Sequence, residues 1–215
     1  MNELNVFVSV GGTATEQQEA FIRAVEDRLR SEGLIPHTVG RNTFSADAPL
    51  KTVTELLEKC SGTLVIALER SYFASGTEKR GGPKAIKLTD VKLPTPWNQI
   101  EAAMTYARGL PLMVVVEAGL KSEGLLERGY DWYVQWVQPE ASALHSTEFN
   151  GVLASWKQKM VQTPKKVSLP RTASDLTVAE LIGGLKPTQL WSVLVALATL
   201  LAGAFALGGK LFGAQ

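Results

Sequence analysis

The 215-residue chain has a single cysteine, Cys60. An intramolecular disulfide is therefore excluded, and the count suits a reducing compartment. Cys60 follows Val53, Leu56 and Leu57 at helical spacing, so it reads as a small buried apolar residue. Histidine is nearly as scarce, with only His37 and His145, and no zinc-ligand spacing occurs. No metal or cofactor is expected on those grounds. An excess of one charge is also missing. Lys and Arg total 22 against 21 Asp and Glu, a net of +1, so no global field calls for nucleic acid. The phosphate-binding G-x-x-x-x-G-K-[ST] loop, the G-x-S-x-G elbow and the dinucleotide-binding G-x-G-x-x-G are all absent. P-loop NTPase, α/β-hydrolase and ordinary Rossmann dehydrogenase readings fall with them. The opening residues have neither the basic stretch nor the apolar core of an export signal.

One apolar run is long. Residues 187–209 carry no charge and are bracketed by Lys186 and Lys210, with Trp191 near the entry. About 20 apolar residues at 1.5 Å rise cross a bilayer core, and Trp favours the interface. The run is expected to be a single membrane-spanning helix. Lys157, Lys159, Lys165, Lys166, Arg171 and Lys186 precede it and only Lys210 follows. The positive-inside rule then puts the N-terminal part in the cytoplasm. Ala202 and Ala206 form a small-xxx-small pair that would let two such helices approach. The expected layout is an α/β domain at 1–162, a linker at 163–186 with a short amphipathic helix at 175–182, the span at 187–209 and a short tail at 210–215.

The first 162 residues alternate short apolar runs with amphipathic segments. Strands are expected at 6–10, 34–39, 63–68, 112–116 and 131–137. A first helix is expected from the capping-box pattern Thr15-Glu16-Gln17-Gln18 through Phe21, Ile22, Val25 and Leu29 to a stop at Gly33, and further helices near 50–60, 97–108 and 148–161. Such alternation argues for a flavodoxin-like parallel five-stranded sheet flanked by helices. Ligands in these folds sit at the carboxyl ends of the strands, here 9–12, 40–45, 69–71 and 117–119. Residues 69–96 read as a long loop, basic through Lys79, Arg80, Lys84, Lys87 and Lys92. Long loops in compact domains are usually functional or mobile, and this one would suit a phosphate-bearing ligand or simply be solvated.

The segment Trp97-Asn98-Gln99-Ile100-Glu101 opens the third helix. Trp97 and Glu101 are four apart and share a face. A carboxylate beside an aromatic ring at the strand ends can stabilise or attack a ribose carbon as its glycosidic bond breaks. Two structural alternatives stand beside that: Trp97 packing in the core, and Glu101 as an acid favoured by the helix dipole.

Asn5-Val6-Phe7-Val8-Ser9 resembles the first strand of Toll/interleukin-1 receptor (TIR) domains. The Trp97-x-x-x-Glu101 spacing is similar to the tryptophan-to-glutamate segment of the third TIR helix. The small-residue helix followed by Gly109-Leu110-Pro111-Leu112-Met113-Val114 resembles the related nucleoside 2-deoxyribosyltransferases. The resemblance covers roughly residues 5–137. It departs at Asn98, where many TIR domains have cysteine, and in the length of 69–96. It implies a TIR-like fold with Glu101 as the catalytic carboxylate, acting on the N-glycosidic bond of NAD or of a nucleoside. It also implies that 40–45 shapes the pocket. The substrate-binding set expected on this basis is Ser9, Gly11, Arg41, Asn42, Phe44, Arg70 and Trp97, with Arg41 or Arg70 meeting phosphates and Trp97 stacking on a ring. NAD is then a substrate rather than a cofactor, and the partners are a nucleotide, the bilayer and further copies of the chain. Two other functions remain open: a non-catalytic signalling scaffold and a deoxyribosyltransferase-type salvage enzyme.

Overall fold

A computed structural model describes residues 4–129 and 131–162. Seven strands and four α-helices run in the order β1 (Leu4–Val10), α1 (Glu16–Ser31), β2 (Leu34–His37), α2 (Pro49–Lys59), β3 (Gly62–Ala67), β4 (Ser71–Glu78), β5 (Ile86–Leu93), α3 (Pro96–Ala107), β6 (Leu112–Glu117), β7 (Tyr133–Val137) and α4 (Thr147–Gln162). Five strands form one parallel sheet in the order β2-β1-β3-β6-β7. Without the β4–β5 insertion this is the doubly wound order 2-1-3-4-5, whose crevice lies between β1 and β3.

Alternation along each strand sends side chains to opposite faces. Val6 and Val8 of β1, Leu64 and Ile66 of β3, and Met113 and Val115 of β6 meet Phe21, Ile22, Val25 and Leu29 of α1 and Phe149, Leu153, Trp156 and Met160 of α4. Full burial contributes about 1.5–3 kcal/mol for each large apolar side chain. On the other face, Phe7 packs with Val53, Leu56, Leu57 and Cys60 around α2. Val65, Ala67, Val114 and Val116 pack with Ala102 of α3. Cys60 is buried, as its spacing implied.

Thr15 caps α1 by accepting from the Gln18 backbone N–H at 3.1 Å. The return bond of the capping box is displaced by one residue, because the Gln18 side chain accepts from Ala14 N–H at 2.8 Å. Its amide group also donates to the Glu69 carbonyl at 2.9 Å, tying α1 to the end of β3. The second strand is shorter than expected, ending at His37. A tight loop replaces its last residues, with Gly40 at φ 80 and a bridge between Val39 and Thr43.

The main correction concerns 69–96. Instead of a loop, this stretch forms the antiparallel hairpin β4–β5, with Ser71 opposite Leu93 and Glu78 opposite Ile86. Tyr72, Phe73 and Ile86 stand about half exposed on it. The segment after β6 holds it near the base and again at the far end of β4. Lys121 N–H donates to the Lys92 carbonyl at 2.9 Å, and Lys121 Nζ pairs with Glu78 at 2.9 Å. No helix among the described residues is long and apolar enough to cross a membrane. The span expected at 187–209 and the linker helix expected at 175–182 lie outside the described residues.

Lys121→Ala removes one side-chain anchor of the hairpin, its pair with Glu78, while leaving the sheet intact. Amide exchange across 71–93 should then accelerate roughly threefold, as suits loss of a partly exposed ion pair, with the melting temperature nearly unchanged. Hydrogen-exchange mass spectrometry checks this.

Candidate functional site

Three segments converge where the winding of the sheet reverses. The end of β1 supplies Ser9, Gly11 and Gly12. The turn after β3 supplies Arg70. The start of α3 supplies Thr95, Trp97, Asn98 and Glu101. Thr95 caps α3, accepting from the Trp97 N–H at 3.4 Å, and Pro96 occupies its first turn without a wasted donor. The approach of α3 to β1 is close. A Cβ on Gly11 would lie 2.9 Å from the Thr95 methyl and 3.9 Å from Arg70 Nη1. Glycine at position 11 is therefore what lets the β1 end and the α3 cap meet.

The inward face of α3 is polar where a doubly wound helix is usually apolar. Asn98, Glu101, Ala102 and Thr105 are its buried residues. The Asn98 amide donates to the Ser9 carbonyl at 3.2 Å, to Ser9 Oγ at 3.1 Å and to the Ile66 carbonyl at 3.4 Å. Thr105 Oγ1 donates to the Glu101 carbonyl at 2.8 Å and lies 2.8 Å from Thr63 Oγ1. Ser9 Oγ accepts from Asn98, which leaves its single proton for Glu101.

Glu101 is 7% exposed. Burial pushes its carboxyl from an ordinary 4.5 up to about 7, and the hydrogen bond from Ser9 pulls the other way. Desolvation wins because one neutral hydroxyl replaces only part of a carboxylate's hydration. No positive side chain contributes to the shift. Near neutral pH this carboxyl therefore exists in both forms, the condition for proton transfer or for reacting at a developing cation.

The other expected residues divide. Trp97 is 39% exposed, so it is not core packing. Glu101 lies in the second turn of α3 and the first turn holds no acid, so the dipole alternative does not apply. Arg70 is exposed beside Gly11 and Thr95, and no carboxylate lies within ion-pair distance of it among the described residues. Arg41 is engaged instead. Its guanidinium grips both oxygens of Glu19 at 2.8 and 2.9 Å and reaches Glu26 at 3.4 Å. Those bonds hold the Glu19 carboxyl down at about 2. Asn42 is also committed locally: its carbonyl accepts from Thr38 N–H at 2.7 Å and its amide donates to the Pro36 carbonyl at 3.0 Å. Phe44 stands 77% exposed on that loop. The structure thus brings together Ser9, Gly11, Arg70, Trp97 and Glu101, while Arg41 and Asn42 serve the fold. The sequence reading missed Asn98 and Thr95 as organisers. Their signal was the helical recurrence of polar residues at 98, 101 and 105. A cavity of about 390 Å³ bordered by Leu112, Met113, Tyr133 and Trp156 lies at the opposite, amino-terminal end of β6 and β7.

No protein-family model and no curated protein matches the chain. Solved structures similar in fold include a CMP N-glycosidase, BcmB, from Clostridium botulinum, at 14% identity over 70% of this chain and 98% of that one, with a TM-score of 0.43. The Flv1 flavodiiron core from Synechocystis is 13% identical over 74% of this chain and 36% of that one, with a TM-score of 0.40. The TIR domains of the activated Roq1 resistosome are 11% identical over 90% and 99%, with a TM-score of 0.35. Likeness this distant carries no chemistry across to the present chain.

Two expected outcomes follow from the buried carboxyl. A folded pKa above the unfolded one stabilises the fold below pH 4.5, and that contribution is lost as pH rises through about 7. Glu101→Gln should therefore match the parent at pH 4 and exceed it at pH 8 by on the order of 2–3 kcal/mol in urea unfolding. Ser9→Ala removes the one bond that favours the charged form. It should move the upper edge of this pH window higher, read from the same unfolding curves.

Proposed function

We propose that the domain breaks the N-glycosidic bond of NAD or a related nucleotide, with Glu101 as its catalytic residue. The observation that supports this is a carboxyl buried against Ser9 at the carboxyl end of β1 beside the strand-order reversal, where burial pushes its pKa up to about 7. In this reading the Glu101 carboxylate attacks ribose C1′ as the C1′–N bond breaks, and the bonding pair leaves with the base. Nicotinamide departs from NAD as a neutral molecule, so that step needs no proton donor. Water then attacks the glycosyl ester, which releases the sugar, a proton and the carboxylate. Arg70 meets a phosphate and Trp97 stacks on a ring. Arg41 is left out, because displacing it would break its two bonds to Glu19 and its contact with Glu26.

The apolar run at 187–209 tethers the domain to a membrane, with residues 1–162 in the cytoplasm and several copies assembled. That part of the proposal rests on the sequence alone. A place in defence signalling would follow from the TIR resemblance alone.

The reading is tested with the full chain concentrated on vesicles, following nicotinamide release from NAD by chromatography. Glu101→Gln should lower turnover on the order of 10³-fold or more while the circular dichroism spectrum is retained. In the parent, kcat/KM should rise with pH and level off above about 7, because the ionised carboxylate is the reacting form. Full turnover by the Gln variant contradicts the reading, and base exchange between deoxynucleosides would point to salvage chemistry.

A second reading is a non-catalytic scaffold, favoured by the small exposure of Glu101, 7%. Under that reading the parent turns over no nucleotide, and Glu101→Gln leaves assembly and signalling output unchanged.

A further inference from the structure

The β4–β5 hairpin is absorbed neither by the core nor by the Glu101 site. The stretch 79–89, its turn and the distal part of β5, holds Lys79, Arg80, Lys84 and Lys87 and no acidic residue, while Glu78 at the end of β4 stands opposite Ile86. All four cations are exposed. Lys79 lies 4.0 Å from Glu78, and no carboxylate is within ion-pair distance of Arg80, Lys84 or Lys87 among the described residues. The tip is shaped rather than loose. Gly82 N–H donates to the Lys79 carbonyl and Ala85 N–H to the Gly82 carbonyl, both at 3.1 Å, with Lys79 at φ 53 and Gly81 at φ 83. Ile86 is 53% exposed between Lys84 and Lys87, and Tyr72 and Phe73 are half exposed further down. Acids around the hairpin are neutralised, Glu69 at the base by Lys92, and Glu78 at the end of β4 and Glu123 by Lys121.

We propose that the tip of this hairpin docks on an anionic phospholipid surface, its four cations meeting headgroup phosphates while Ile86 enters the interfacial layer. Charge complementarity identifies the partner, and the apolar residue among the cations favours a bilayer over a duplex. Nucleic acid is matched by longer cationic tracks that neutralise many phosphates. Here the positive surface is confined to the turn and the distal part of β5, and ends on β4 at the paired Glu78. Each cation at an anionic leaflet strengthens binding about fivefold, and an inserted apolar side chain adds to it. The inference is independent of Glu101 chemistry and of the run at 187–209.

The test uses the full chain with Ala85→Cys carrying an environment-sensitive fluorophore, since Cys60 is buried. The protein is added to phosphatidylcholine vesicles with or without phosphatidylserine. The probe should shift to the blue only with phosphatidylserine, and added salt should reverse the shift. Reversing Lys79, Arg80 and Lys84 to Glu should weaken the response by at least about 100-fold in lipid titrations. These exposed changes leave the circular dichroism spectrum intact. Equal signals in both vesicle types, no signal in either, or displacement by duplex DNA at matched phosphate concentration would overturn the proposal.

Discussion

The domain depends on how α3 is seated against the sheet. Most of the sheet is covered by apolar side chains, but under α3, beside the apolar contact of Ala102, runs a file of polar groups: Ser9 and Thr63 from the strands, Asn98, Glu101 and Thr105 from the helix. An apolar stripe there would give a more stable protein. The polar file holds a carboxyl in a place where water solvates it poorly, and its raised pKa measures that cost. Asn98 reaches three acceptors on β1 and β3, and the close pass of Gly11 under Thr95 fixes the helix start. The position of Glu101 is therefore set by bonds to the strands rather than by loop conformation.

The surrounding cations fall into two groups. Arg41 is spent on Glu19 and Glu26, which closes the loop after β2 onto α1. Arg70, shortly beyond β3, lies beside Gly11 with no carboxylate within ion-pair distance among the described residues. The two arginines are equivalent in the sequence, since each follows a strand expected to end near the ligand crevice. What separates them is the pair of acids on α1 that faces one and not the other. Only three-dimensional placement shows this.

Much of the fold was legible. Uninterrupted apolar runs such as Leu64-Val65-Ile66-Ala67 report strands buried on both faces, and the 3.6 periodicity of Phe21, Ile22, Val25 and Leu29 reports α1. The hairpin was not read, although it left a trace. Ile86, Leu88, Val91 and Leu93 nearly alternate, but Asp90 interrupts the pattern and β4 is largely exposed, so no buried face enforces a clean period of two. Gly81-Gly82 marked the turn. For the site, the pairing of Trp97 with Glu101 was legible as spacing, whereas the burial that tunes Glu101 and the role of Asn98 were not. Both depend on Ser9, 92 positions earlier in the chain for Glu101 and 89 for Asn98.

The central claim is that this carboxyl is desolvated against β1. It is tested most directly by a carbon-13 titration of the glutamate side-chain carboxyls, with the Glu101 resonance assigned from its Gln variant. The account predicts a midpoint near pH 7 for Glu101, set apart from the exposed glutamates. A midpoint near 4.5 would mean that water reaches the group freely, and it would contradict both the seating of α3 and the chemistry built on it.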